Sequence, residues 1–290
     1  MLTWSNFLSQ LFNGLAQGAL LALISSGLTI IYGTLGVLNL AHGAMFMLGG
    51  YAGWVAFQAT GSFVIAVIAG ALFMLVVGVL MERVVIRHFY GRPHEDQLLV
   101  TFGLSIVFVE LVRFFFSSDS KTVPAPAALS GITSLGVMFY PTYRLAVVGI
   151  VAVALLVLFI VLYRTRLGMI VRAGIEDAVM VDSLGIDVYR VFMVVFGIGA
   201  MAAGFAGIVN APVVSLSPDM GEAILVQTFV VVIGGVGSFP GAVIGGLIAG
   251  EIISLTSMVN PGYAYVMLFA AMTLVLLVRP RGLFGARGRE

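Results

Sequence analysis

Apolar runs of about twenty residues follow one another through nearly the whole chain, and no other feature limits its fold so strongly. A membrane-crossing helix needs about 20 such residues. The runs lie at residues 7–32, 36–57, 63–81, 98–116, 144–163, 191–210, 223–258 and 262–278. Charged residues make up 9% of the chain, against roughly a quarter in a soluble domain. So few charges cannot clothe a water-facing surface, and lipid is the expected solvent. The fold class that follows is all-α: a polytopic transmembrane helix bundle of about eight spans. With a net charge of +1, no nucleic-acid partner is indicated. The absence of cysteine excludes disulfides, thiol catalysis and Cys-ligated metals. Residues 1–10 hold no Lys or Arg, so no cleaved signal peptide, which wants a basic leading region, is expected.

The basic residues predict the orientation. Eleven of the 14 Lys and Arg residues fall in segments 82–97 and 164–190 and in the tail from Arg279. Excess Lys and Arg mark the cytoplasmic side, which predicts an N-terminus outside and a C-terminus in the cytoplasm. Parity then forbids one plain crossing over 223–258. That run must be two short crossings or a re-entrant segment, bent near Gly235 to Gly241.

One apolar run is unusual. Between Gly36 and Gly53 it carries Asn39, His42 and several glycines. On a continuous helix Asn39 and His42, three residues apart, share a face. Polar groups at membrane depth face a bundle interior or a water-filled cavity. Two readings stand side by side: interhelical hydrogen bonding that fixes packing, and the lining of a path. Gly-x-x-x-Gly spacing recurs at Gly14/Gly18, Gly49/Gly53, Gly237/Gly241, Gly241/Gly245 and Gly246/Gly250, which lets helix backbones approach closely. The run from Gly241 to Gly246 loosely echoes Gly43 to Gly50, and paired broken segments point to a central site in transporters built from repeats.

Few other residues could carry chemistry. Glu110 and Arg113 are spaced to form a structural ion pair inside the membrane. Glu251 stands alone in an apolar run, where a structural partner is the first expectation and ion coupling the second. Residues 164–187 mix charges with Ala, Val, Met and Leu, as expected of a cytoplasmic helix that docks on a partner or lies in the interface; Leu184 and Gly185 read as the turn that follows. The only lysine, Lys121, lacks the glycines of a phosphate-cradling loop. No HExxH or Gly-x-Ser-x-Gly pattern occurs. No catalytic residue, cofactor or metal site is expected.

An ordered set of stretches resembles the permease subunits of ABC importers for branched-chain amino acids, the LivH-like family. It comprises Asn13 to Leu20, Gly27 to Gly33, Val37 to Gly43, Arg172-Ala173 with Glu176-Asp177, Leu184 to Ile186, Gly234 to Ala242, and Arg279 to Gly285. The resemblance runs nearly end to end and implies a single transmembrane permease domain over 1–290. It implies a multi-pass protein of the bacterial inner membrane that imports branched-chain amino acids and is not itself an enzyme. Expected partners are a second related permease, two cytoplasmic ABC ATPases and an outer solute-binding protein. Segment 164–190, with Arg172, Ala173, Glu176, Asp177, Leu184 and Gly185, becomes the expected ATPase-coupling element. Asn39, His42, Gly43, Gly234, Gly235, Gly237 and Ser238 become the expected translocation pathway. Urea and short amides are alternative substrates in the same family. An ion-coupled secondary transporter and a passive small-solute channel are the alternatives outside it.

Overall fold

The computed structural model describes residues 4–134, 136, 138–235, 238–279, 282 and 284. Among them, seven helices are long and apolar enough to span a bilayer. These are α1 (Trp4–Leu35), α3 (Phe63–Val84), α4 (His94–Phe116), α5 (Thr142–Arg164), α8 (Val188–Asn210), α10 (Phe239–Val259) and α11 (Ala264–Val278) with the short 3-10 turn before it. Four more α-helices lie among the described residues: α2 (His42–Thr60), the short α6 (Arg166–Glu176) and α7 (Ala178–Ser183), and α9 (Met220–Gly234). In hydrocarbon every backbone polar group must be satisfied within the protein, so apolar runs close their hydrogen bonds as helices.

The bundle is built around α1 and α8. Residues 18–31 of α1 are all buried, as are most of residues 195–209 of α8. By contrast α4, α5 and α11 expose large apolar side chains such as Leu99, Phe114, Val153, Leu156 and Leu277, as lipid-facing helices do. Small residues set the core spacing. Along the seam of α1 with α10, Gly18 lies against Gly250 and Ala22 against Gly246. Antiparallel to α8, α3 meets it through Gly70 and Gly78, opposite Gly204 and Gly197.

The two ends of the bundle differ. At one end, which we call the basic face, lie the end of α3, the starts of α4, α8 and α10, the end of α5, and α6 and α7. Side-chain caps start several of these helices: Thr165 on α6, Asp177 on α7, Asp187 on α8 and Ser238 on α10. Each supplies an oxygen to an otherwise unpaired backbone N–H. At the opposite, loop face lie the N-terminus of α1 and the connection from α4 to α5. That connection holds a two-stranded antiparallel ribbon of β1 (Ile132–Ser134) and β2 (Phe139–Pro141), with Thr133 opposite Tyr140. Lys121 bridges to Leu216, tying it to the loop between α8 and α9.

One of the expected runs needs correction. The run 36–57 is not one helix. The chain breaks over residues 36–41, Gly36 takes a left-handed φ of 67°, and α2 begins only at His42. Asn39 therefore precedes the helix and shares no helical face with His42. The run 223–258, by contrast, is broken near Gly235 as the charge pattern requires, into a short α9 of 15 residues and a full-length α10. At 1.5 Å per residue α9 is about 22 Å long, too short for a core of about 30 Å.

Candidate functional site

Where α2 starts decides what the break does. His42 Nε2 donates to the Ile24 carbonyl at 3.0 Å. Ile24 lies eleven residues before the end of α1, roughly 16 Å inside the bundle. The chain leaves α1, doubles back through 36–41, and opens a new helix in the interior. Its exposed backbone is satisfied locally and from α4. The Ala41 N–H donates to Asn39 Oδ1 at 3.0 Å, and the Leu40 N–H donates to Thr101 Oγ1 at 3.2 Å. The Thr101 hydroxyl in turn donates to the Gln97 carbonyl at 2.9 Å. Asn39, His42 and Thr101 are all fully buried. With Nε2 committed as donor, His42 Nδ1 has no hydrogen-bond partner among the described residues.

The start of α9 meets the start of α2. Gly43 packs on Gly221 and Leu225, and a methyl group added at Gly221 would sit 2.6 Å from the Gly43 carbonyl oxygen. The two helices thus abut by their N-terminal turns inside the bundle. The sequence echo pointed to Gly241 as the counterpart of Gly43. Gly241 packs instead near Gly235, at the turn between α9 and α10 on the basic face. There the Ser238 hydroxyl accepts from the Gly241 N–H at 3.2 Å. Gly234 closes α9, and Gly237 lies outside the described residues.

Above that junction, on the loop-face side, is a cavity of about 520 Å³. Its apolar wall includes Leu20, Phe46, Val147, Val213 and Ile224. Two hydrogen-bonded sets stand out among its polar groups. Toward the loop face, Arg144 and the Tyr140 hydroxyl both donate to Asn13 Oδ1, the latter at 2.9 Å. Deeper, Gln17 donates to Gln227 Oε1 at 3.5 Å, and Gln227 donates to the Tyr265 hydroxyl at 3.1 Å. Asp219 lies at the rim. Neither Asn39 nor His42 lines this cavity; they sit in the packed layer beside the α2 start. Sequence reading missed the cavity residues. The available signals were Gln17 and Gln227 inside apolar runs, and Arg144 as one of three cations outside the basic segments.

Glu110 and Arg113 meet at 2.5 Å, and Arg113 also pairs with Asp219 at 2.6 Å. This triad is exposed near the loop-face end of α4, not deep in the membrane as expected. It ties α4 to the rim of the cavity. Glu251 lies against Gly14 in the seam of α1 and α10. The partner expected for it is incomplete: its Oε2 has no hydrogen-bond partner among the described residues.

On the basic face α6 and α7 project charged and apolar side chains together. Arg172, Ala173, Glu176, Asp177, Leu184 and Gly185 are all exposed, as are Met169, Val179 and Met180. The Arg172 guanidinium donates to the Leu162 carbonyl at the end of α5, and Gly185 adopts a left-handed turn. A cluster absent from the sequence reading anchors the return into α8. Glu82 is fully buried and takes two bonds from Arg87, at 3.2 and 3.1 Å, and one from the Tyr90 hydroxyl at 2.7 Å. Arg87 and Tyr90 both pack on the Tyr189 ring. Burial first, and then the bond to Glu82, holds the Tyr90 phenol well above its ordinary range.

Interrupted helices meeting in the interior, with a solute-sized cavity on one side and an exposed ridge of charged and apolar side chains on the other, are the architecture of a multi-pass membrane permease. Comparison with known proteins gives the family. Residues 10–277 match the family described as branched-chain amino acid transport system / permease component. The chain is 35% identical to the high-affinity branched-chain amino acid transport system permease protein LivH of Escherichia coli K12, covering 96% of both chains. It is 33% identical to BraD of Pseudomonas aeruginosa, covering 97% of this chain and 96% of BraD. LivM of E. coli K12, also named as a permease protein, is 27% identical, covering 90% of this chain and 67% of LivM. No solved structure matches. The chain belongs to the family of branched-chain amino acid transport permease components.

Proposed function

We propose that this chain is one permease subunit of an ABC importer carrying branched-chain amino acids across the bacterial inner membrane. The observation that carries the reading is the cavity of about 520 Å³, open toward the loop face and stopping at the junction of α2 and α9. Its volume suits a small solute. Its apolar wall suits an aliphatic side chain, and its polar groups suit the ends of an amino acid. In this reading the basic face is cytoplasmic, following the positive-inside rule, and the N-terminus is outside.

The two-helix junction is the closed part of the path. Asn39 holds the re-entrant turn, His42 pins α2 to α1, and Gly43 lets α9 approach. Gly234, Gly235 and Ser238 border the second articulation, at the cytoplasmic end of α9, and Gly237, expected on the same path, lies outside the described residues. Segment 164–190 docks on an ATPase: exposed Met169, Val179, Met180 and Leu184 bury against it, while Arg172, Glu176 and Asp177 set the register. A second permease, a further ATPase and an outer binding protein complete the machine, and hydrolysis belongs to the ATPases.

The test is uptake of radiolabelled leucine into proteoliposomes. With partner permease, ATPases and binding protein present, uptake should require ATP inside the vesicle for cytoplasm-in assemblies. This chain alone should give none. Leucine uptake by the lone chain driven by an ion gradient would overturn the reading, as would a complete assembly that moves short amides but not leucine.

A further inference from the structure

The guanidinium of Arg144 is unusual for a cation at the edge of a membrane interior. Among the described residues no carboxylate lies within ion-pair distance of it; its side-chain partners are neutral, Asn13 Oδ1 and the Tyr140 hydroxyl. The other non-terminal arginine on that face, Arg113, is paired twice, with Glu110 and Asp219. Arg144 is half-buried, lines the cavity, and is fixed in place by α5 and by Asn13 of α1. A positioned guanidinium without a counter-ion is a receptor for a carboxylate, because it can offer two parallel N–H donors to two oxygens.

The remaining lining suits the rest of such a ligand. Asp219 stands at the rim; its Oδ1 is paired with Arg113, and its second carboxylate oxygen is left to accept from an ammonium group. Leu20, Phe46, Val147 and Ile224 form an apolar wall. Anion receptor, acidic rim and apolar wall in one cavity are complementary to a zwitterion with an aliphatic side chain, and not to a neutral amide. We propose that Arg144 is a substrate-binding residue that holds the α-carboxylate of an aliphatic amino acid in this cavity, so that the permease itself, and not only a delivering protein, reads the carboxylate. This inference rests on the reading of the chain as an amino-acid permease.

The experiment measures equilibrium binding of radiolabelled leucine to the assembled permease complex in nanodiscs, with binding protein omitted, beside leucine uptake by the full system. The wild type should bind leucine. Leucinol, which keeps the ammonium and side chain but lacks the carboxylate, should compete at least about tenfold less well than unlabelled leucine, a loss typical of one charge-assisted hydrogen bond. Arg144→Gln should weaken leucine binding about tenfold or more. Asn13→Asp is the variant that keeps the fold: it gives Arg144 a carboxylate at an existing contact. It should weaken leucine binding about as much while the complex still assembles. Wild-type uptake without any leucine binding up to millimolar concentration would overturn the inference and leave the importer standing. So would equal competition by leucinol, or unchanged binding by both variants. Absence of leucine uptake together with saturable, Arg144-dependent leucine binding would overturn the transport reading and uphold the site.

Discussion

The crossing of α1 and α8 beside His42 gives the sharpest test of how the interior is held. A methyl group at Gly27 would sit 2.7 Å from the Gly199 carbonyl oxygen, 3.3 Å from the Ala202 methyl and 3.4 Å from the His42 ring. Restoring ordinary contact to the carbonyl requires about 0.7 Å of separation between two helices, since both walls are backbone. Such overpacking costs about 3 kcal/mol, the upper end of the usual range. Replacing a helical glycine returns about 1 kcal/mol through backbone entropy. Gly27→Ala should therefore destabilise by about 2 kcal/mol, about a thirtyfold fall in the folded-to-unfolded ratio. Gly103 is the control: it is exposed on α4, and an added methyl meets nothing within 4 Å. Gly103→Ala should change stability by about 1 kcal/mol in the opposite direction. The assay is equilibrium unfolding of the purified protein in mixed micelles, followed by tryptophan fluorescence. Equal shifts for the two variants, or stabilisation by Gly27→Ala, would refute the idea that glycine spacing sets the core.

Three further outcomes follow from the geometry. Thr101→Val removes the acceptor for the Leu40 N–H at depth and should cost about 2 kcal/mol, while Thr101→Ser keeps the hydroxyl and most of the stability; the same unfolding assay separates them. Tyr90 should make stability fall as pH rises past about 10, because the unfolded phenol ionises there while the folded one, raised by burial and by Glu82, keeps its proton. Tyr90→Phe should flatten that alkaline slope, and a Tyr90→Phe protein with the wild-type slope would count against it. Reversing Glu176 and Asp177 to lysine should lower ATP-driven uptake about tenfold while leaving membrane insertion intact, as read by uptake and by detergent-extracted yield.

Much of this fold is legible from hydropathy, because a chain with 9% charged residues has few ways to satisfy its backbone in lipid. Charge parity located an irregular segment near 223–258 for the same reason. The break at 36–41 was not legible. It depends on Thr101, sixty-one residues from Leu40, and a lone threonine in an apolar run carries no mark of that role. Reading 36–57 as a continuous helix put Asn39 and His42 on one face; the tertiary bond from α4 cancels that periodicity. The cavity was also hidden, since Asn13, Arg144 and Gln227 come from three distant helices. The ion pair of Glu110 and Arg113 followed from helical spacing, whereas its third member, Asp219, comes from a loop over a hundred residues on.

The seam between α1 and α10 also constrains how the molecule is made. Gly14, Gly18 and Ala22 are covered by Glu251, Gly250 and Gly246, residues synthesised more than two hundred positions later. Until they emerge, the first helix sits in the bilayer with its small-residue groove filled only by lipid chains. Contacts of such sequence separation form last and slowly. The chain's first helix is thus among the last to find its partner, so a nascent chain stalled before residue 246 should leave that groove open to foreign helices and to quality-control proteases.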